Sequence, residues 1–378
     1  MRAASVADYR EAARRRLPKV LFDYIDGGSY GEATLAANVA DLAALKLRQR
    51  VLRDVSKLSM STEIFGQSLS MPVVLSPVGL AGMYARRGEV QAARAAKAAG
   101  VAFSLSTVGV CTIAEVAKAA APPWFQLYMI RDRGFMAELL ATAAAAACPV
   151  LLFTVDLPIP GARYRDTRNG MLAATAEARI GQALDGLAHP AWLWDVQQRG
   201  RPHTLGNVAG AAAELNNLGQ FWGWIGRNFD PSVTWKDIDW VRERWAGPIV
   251  LKGVLDAQDA CDARRCGVEG IVVSNHGGRQ LDGVASGIAA LPAVVDAVGG
   301  DLTVLMDGGV RSGLDVLKAL AVGAKACLIG RAWAWALGAR GEAGVAHMLA
   351  ILRQELRMAM SLTGCTDVLD AGRDLLAP

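Results

Sequence analysis

The sequence predicts an α/β protein in which eight strands alternate with helices to close a (β/α)8, or TIM, barrel. A helical segment precedes the barrel and a long insertion follows its fourth strand. Three observations carry that expectation: eight short apolar runs recur along the chain, helix-like stretches separate most of them, and every run ends in polar residues or glycine. The 378 residues suffice for one such barrel. A single domain, 1–378, is expected, with 1–70 a lead-in, 71–335 the barrel bearing the insertion at 157–248, and 336–378 C-terminal helices.

The lead-in places Tyr9, Ala12, Ala13, Leu17, Val20, Leu21 and Tyr24 at helical spacing, interrupted at Pro18 and stopped by Gly27 and Gly28. The apolar runs are Val73 to Ser76, Ala102 to Ser106, Trp124 to Met129, Val150 to Val155, Ile249 to Leu251, Ile271 to Val273, Thr303 to Met306 and Ala326 to Ile329. Helical stretches between them include Thr112 to Ala120, opened by the capping-box pattern Thr112-x-x-Glu115, and Asp256 to Cys266, closed by Gly267. Spacing is about 20 to 35 residues except between the fourth and fifth runs, where roughly 90 residues imply an insertion beyond an ordinary crossover.

Composition excludes several classes. The hydrophobic share of 52% with much Ala and Gly suits packed helices and tight turns. A formal net charge of +4, with bases and acids interleaved, is no nucleic-acid footprint. The six cysteines form no CxxC pair and read as reduced thiols of a cytosolic protein. The N-terminus is amphipathic and Arg-rich without the apolar core of a signal peptide. The uncharged run Leu139 to Val155 is divided by Pro149 and reads as a helix leading into a strand, so no membrane span is expected.

The chemistry concentrates in Gly270 to Gly283, GIVVSNHGGRQLDG. A buried strand there breaks into a glycine loop from which His276 can project as a general base, with Arg279 supplying a fixed cation for an anionic substrate. The other strand ends deliver Pro77, Val78 and Gly79; Ser106; Gln126 and Tyr128; Thr154 and Asp156; Lys252; Ser274; Asp307 with Gly309 and Arg311; and Gly330 with Arg331. A lysine ending an apolar strand requires an anionic or dipolar partner. In DGGVRSG (Asp307 to Gly313) and IGRA (Ile329 to Ala332), glycines and arginines suit a phosphate, which the next helix N-terminus would favour. Purely structural alternatives exist: Asp156 as a helix cap, Tyr128 as a core aromatic, Tyr24 as helix packing. No third ligand has the spacing to make a metal site with His276 and Asp156.

These motifs resemble the FMN-dependent L-2-hydroxy acid oxidases and dehydrogenases. YIDGG (Tyr24 to Gly28), SMPVVLSPVG (Ser70 to Gly79), WFQLY (Trp124 to Tyr128), SNHGGRQLDG (Ser274 to Gly283) and DGGVRSG occur in that family's order. GMYARRGEVQAA (Gly82 to Ala93), PGARYRD (Pro160 to Asp166) and NFDPSVTWKD (Asn228 to Asp237) bring the chain nearest its bacterial respiratory, lactate-oxidising members. The resemblance implies that His276 takes a proton as the α-carbon is oxidised and that Asp156 stabilises the imidazolium; whether hydrogen leaves carbon as proton or hydride stays open. It implies Arg163 and Arg279 on the substrate carboxylate, with Tyr24 and Tyr128 as hydrogen-bond donors to substrate oxygens. For FMN it implies Lys252 beside the flavin pyrimidine, Ser106, Gln126, Thr154 and Ser274 along the ring and ribityl chain, and Arg311, Gly330 and Arg331 at the phosphate. Substrates other than lactate, such as mandelate, and a peroxide-producing oxidase remain alternatives. So do an FMN barrel isomerase acting on a phosphorylated substrate and a flavin-binding sensor. Glycine at position 79, taken to leave open space near the flavin, favours a dehydrogenase, and the family often forms tetramers.

The insertion holds seven of the ten tryptophans. Packing is expected for Trp235, Trp240 and Trp245. For Trp192, Trp194, Trp222 and Trp224 a monotopic contact with the cytoplasmic face of a bacterial inner membrane is expected, letting electrons pass to a quinone.

Overall fold

The structure, a computed structural model, describes residues 2–171, 175–209 and 218–377. The lead-in forms α1 (Val6–Arg16) and α2 (Lys19–Asp26), divided at Pro18 as the sequence predicts, because proline cannot donate into a continuing helix. A third helix, α3 (Ala33–Ala44), and an antiparallel hairpin, β1 (Thr62–Ile64) and β2 (Gln67–Leu69), complete it. Neither was anticipated. The hairpin strands are too short for alternation to register.

Eight parallel strands then close the barrel: β3 (Val73–Leu75), β4 (Ala102–Ser106), β5 (Trp124–Leu127), β6 (Leu151–Thr154), β7 (Ile249–Val254), β8 (Gly270–Val273), β9 (Thr303–Met306) and β10 (Ala326–Ile329), with β10 pairing back onto β3. Each matches a predicted run. Three end earlier than expected, where the chain leaves the ladder at the mouth. β7 runs longer, past Lys252 through a register shift at Gly253.

A strand's period of two sorts side chains to opposite faces. Residues such as Val74, Ala102, Trp124, Leu152, Val250, Val272, Leu305 and Leu328 form one buried cluster inside the barrel, while alternate neighbours such as Leu75, Leu105, Phe125, Phe153, Leu251 and Ile271 join the larger cluster under the helices. Ile64 and Leu69 of the hairpin belong to the inner cluster, Phe65 packs edge-on to Trp124 at 5.8 Å, and Gln67 accepts the Trp124 indole N–H at 2.8 Å. The hairpin thus plugs the end of the barrel at which the strands begin. Continuing the same parity toward the mouth turns Ser106, Gln126, Thr154, Lys252, Ser274 and Asp307 inward.

The outer layer is α4 (Gly88–Ala99), α5 (Ile113–Ala119) and α6 (Arg133–Ala145), then the insertion helices α7 (Tyr164–Arg168), α8 (Ala176–Leu187), α9 (Pro190–Trp192) and α10 (Leu218–Asn228), then α11 (Lys236–Arg242), α12 (Ala257–Arg265), α13 (Gly287–Val298), α14 (Gly313–Val322) and α15 (Arg331–Thr363). The capping box of α5 is half made: Thr112 accepts from the Glu115 N–H, but the Glu115 carboxylate pairs with Arg87. The expected boundary at 335 falls inside α15, which bends at Arg340–Gly341, where glycine takes a φ of +59°.

The tryptophan expectations need correcting. Trp192 and Trp224 are buried, and the Trp192 indole donates to the Met83 carbonyl at 2.8 Å. Trp194 is 63% exposed, and Trp235, assigned to packing, is 38% exposed. The side chain of Trp222 lies outside what is described. On α8, Ile180, Leu184 and Leu187 follow at spacings of four and three and are all more than 60% exposed.

Gly313 marks where α14 meets α15: a Cβ there would lie 2.1 Å from the Leu356 nitrogen and 2.2 Å from the Leu352 oxygen, both backbone. Gly313→Ala is therefore expected to destabilise the fold by about 2 kcal/mol or more, read as a lower midpoint in urea denaturation.

Candidate active site

The strand ends and the lead-in form a cleft at the barrel mouth. Tyr24, Pro77, Val78, Gly79, Tyr128, Arg163, Lys252, His276, Arg279, Asp307, Gly309, Arg311, Gly330 and Arg331 line it. Ser106, Gln126, Thr154 and Ser274 lie buried at the strand ends, and Asp156 stands behind His276. Fourteen of the nineteen residues singled out in the sequence thus share one wall, and the other five support it.

His276 Nδ1 donates to Asp156 Oδ1 at 2.8 Å, which leaves Nε2 toward the cleft, 3.5 Å from the Tyr128 hydroxyl. Burial pushes the imidazole's pKa below its ordinary value although the Asp156 carboxylate opposes the shift. Burial works against charge on Asp156 too, but His276 and Lys252 outweigh it and hold the carboxyl below its usual range. The pair therefore rests as neutral imidazole and carboxylate, the state a base requires. Asp156 reaches this position because β7 carries glycine at 253: a Cβ there would sit 2.5 Å from the Asp156 Cβ and Cγ.

The loop holding His276 is fixed from three sides. His276 has a left-handed φ of +57°, a costly conformation for a residue with a side chain. Its N–H donates to Ser274 Oγ at 3.0 Å, the same oxygen that accepts from Lys252 Nζ. Asn275 and Asn38 of α3 exchange amide hydrogen bonds at 2.9 Å each, and Asn275 Oδ1 also accepts from Gly278. The lead-in helix thus braces the loop, a connection invisible in sequence.

Arg279 donates to the carbonyls of Tyr24 at 2.5 Å and Gly27 at 3.0 Å, and its guanidinium lies 4.8 Å from the centre of the Tyr24 ring. Arg163 approaches the same ring at 5.8 Å. Burial, reinforced by the like charge of Arg279, lowers the Arg163 pKa to about 10. Two guanidiniums facing one space, Arg163 buried and Arg279 half-buried, form a receptor for a carboxylate.

Beneath them, Lys252 Nζ lies 2.8 Å from Asp307 Oδ2; burial disfavours its charge, but Asp307 and Asp156 keep its pKa above the ordinary value. Among the described residues, Gln126 Nε2, Thr154 Oγ1 and Asp307 Oδ1 are buried without hydrogen-bond partners, while Ser106 Oγ donates to Gln126 Oε1 at 2.8 Å. Unpaired donors and acceptors along inward-facing strand ends fit the polar edge of a planar heterocycle such as flavin. The expected anion site shifts slightly. At the start of α14, the N–H groups of Arg311 and Ser312 already donate to Asp315 and that of Gly313 to Glu355. The N-terminus of α15 at Gly330 has no side-chain cap and is the better placed of the two. Arg311 lines the cleft, its pKa lowered by burial to about 10. Arg331, expected as a phosphate ligand, donates to the carbonyls of Gly277, Asp26 and Gly27.

Position 79 is not open space: an added Cβ would come within 2.9 Å of a Val108 methyl and 3.4 Å of the Tyr24 hydroxyl. The argument from Gly79 to a dehydrogenase therefore fails on volume. Sequence reasoning also missed Val108, Ile225 and Phe229, which line the cleft, Phe229 packing 4.9 Å from the Tyr128 ring. The apolar spacing of Trp224, Ile225 and Phe229 was the available signal.

A sequence model of the FMN-dependent dehydrogenases matches residues 13–378. The chain is 59% identical over 375 residues to the L-lactate dehydrogenase of Caulobacter sp. (strain K31), covering 99% of this chain and 98% of that one. It is 58% identical over 371 residues to the L-lactate dehydrogenase of Stenotrophomonas maltophilia (strain K279a), covering 98% and 97%. Among solved structures it resembles the monotopic membrane protein (S)-mandelate dehydrogenase, with a TM-score of 0.92 and 34% identity over the whole of both chains. It also resembles mandelate oxidase with (S)-4-hydroxymandelic acid, with a TM-score of 0.86 and 40% identity over 99% and 98%.

His276 is expected to titrate below an ordinary histidine, and lower still in Asp156→Asn, because the carboxylate is what favours its proton. Nitrogen NMR of the imidazole across a pH series checks both shifts.

Proposed function

The chain belongs to the FMN-dependent dehydrogenase family, and we propose that it oxidises L-lactate to pyruvate and passes the electrons to a membrane quinone. The observation that carries this reading is the meeting, in one cleft, of a carboxylate-paired imidazole with two arginines. Relatives named L-lactate dehydrogenase, more than half identical over nearly the full length, support the substrate. The cofactor is FMN, and the unpaired polar edge of the cleft fits it.

In the proposed mechanism Arg163 and Arg279 bind the substrate carboxylate, and Tyr24 and Tyr128 donate to its oxygens. Orientation in the cleft would place the α-carbon and hydroxyl before His276 Nε2. His276 takes the proton, and Asp156, bonded to Nδ1, stabilises the imidazolium that results. FMN supplies the electron-accepting chemistry when bound. Lys252, kept charged by its contact with Asp307, would offset negative charge on the bound flavin. Ser106, Gln126, Thr154 and Ser274, with Pro77, Val78 and Gly79 beside them, would hold the flavin and its ribityl chain, and Gly309, Arg311, Gly330 and Arg331 would hold the phosphate.

We propose further a peripheral contact with the cytoplasmic face of a bacterial inner membrane, and a homotetramer, whose mass sedimentation velocity would report. No helix among the described residues is long and apolar enough to cross a membrane. The support is the exposed apolar stripe of α8 with Trp194, together with a monotopic relative of the same fold.

Anaerobic L-lactate is expected to bleach the yellow holoenzyme; a protein that bleaches with mandelate but not with lactate would reassign the substrate, and peroxide formed in air would indicate an oxidase. Asp156→Asn should lower kcat about 100-fold or more while FMN content is unchanged. Deleting residues 182–219 should abolish flotation with lipid vesicles, and unchanged flotation would refute the membrane contact.

A further inference from the structure

Asp166 has no part in the chemistry proposed above. It ends the PGARYRD motif, lies on α7 three residues after Arg163, and is 1% exposed. Its Oδ2 accepts no hydrogen bond and stands 3.9 Å from Arg163 Nη1. Arg165, between them in sequence, turns away to Asp26 and Glu32. A carboxylate deprived of water and left incompletely bonded costs folding free energy, and such a group calls for a reason.

The surrounding charges supply one. Arg163 and Arg279 line the cleft and flank the same Tyr24 ring, whereas Asp166 lies behind them and does not line it. With no anion in the cleft, the buried Arg163 guanidinium is repelled by the like charge of Arg279, which contributes to lowering its pKa. A negative charge behind Arg163 offsets that repulsion. Once a carboxylate binds from the front, Asp166 and the bound anion become like charges on opposite sides of one guanidinium.

We propose that Asp166 is a positioning residue acting through Arg163: a buried counter-charge that steadies the arginine pair in the empty cleft and weakens its hold on a bound carboxylate enough for product to leave. The inference rests on the reading that Arg163 and Arg279 bind the substrate carboxylate. It differs from a structural role in sign. A strut, when removed, loosens the site; a counter-charge, when removed, tightens anion binding.

The test uses the holoenzyme with Asp166→Asn, which keeps size and removes charge, and titrates pyruvate and oxalate by calorimetry and by the change in flavin absorbance. Both Kd values are expected to fall about fivefold or more, with KM falling and kcat falling as release slows. Asp166→Glu, which restores the charge, should return them toward wild type. Asp166→Ser, smaller and uncharged, carries the same expected sign should the Asn variant fail to accumulate. Unchanged or weaker binding in the uncharged variants, with raised KM, would overturn the proposal. A wild type that binds neither anion, or Arg163→Met binding both as well as wild type does, would overturn the carboxylate reading itself and the inference with it.

Discussion

The cleft depends on arginine side chains that donate to backbone carbonyls. Arg279 and Arg331 together reach the carbonyls of Tyr24, Asp26, Gly27 and Gly277, and the Gly27 oxygen accepts from both. These contacts tie the turn after α2 to the His276 loop and to the start of α15, three segments far apart in sequence. A carbonyl satisfies a guanidinium without cancelling its charge, so Arg279 can hold the turn in place and still attract an anion. The turn is anchored from its other side by Asp26, which receives Arg10 at 2.6 and 2.8 Å and Arg165 at 2.9 Å. Tyr24 lines the cleft because of these ties.

The charged groups fall into two kinds. Lys252 with Asp307 and His276 with Asp156 are close pairs in which each partner keeps the other ionised or poised against the cost of burial. Arg163 and Arg279 face the cleft together, Arg163 with Asp166 behind it at 3.9 Å, and in the proposed mechanism both turn toward the substrate carboxylate. Pairs of the first kind are fixed before anything binds. The arginines turn that preorganisation into selectivity, since a ligand without a carboxylate leaves two like charges facing the same cleft.

Much of this was legible in the sequence because a parallel strand buried on both faces announces itself as an apolar run, and its first polar residue marks the mouth. His276, Asp156, Lys252 and Ser274 were found that way, and the two-residue period then fixes which of them face inward. What stayed hidden depends on contacts between distant segments. Tyr24 lies on a helix outside the barrel, and nothing local distinguishes it from a packing tyrosine. The Asn38–Asn275 exchange joins positions 237 residues apart. Trp192 and Trp224 misled because interfacial chemistry and core packing select the same residue, and only burial separates them. Gly79 misled because the volume beside a glycine depends on its neighbour, here Val108. The helix after DGGVRSG looked free to cap an anion until Asp315 and Glu355 were seen to occupy its N–H groups.

The hairpin beneath the barrel bears on the order of events at the other end. With Ile64 and Leu69 in the inner cluster and Phe65 edge-on to Trp124, apolar side chains close the floor. In the proposed function, substrate and product then enter and leave through the cleft at the top, where the electron acceptor would also approach. Traffic of that kind would favour turn-taking, with the keto acid leaving before the oxidant arrives.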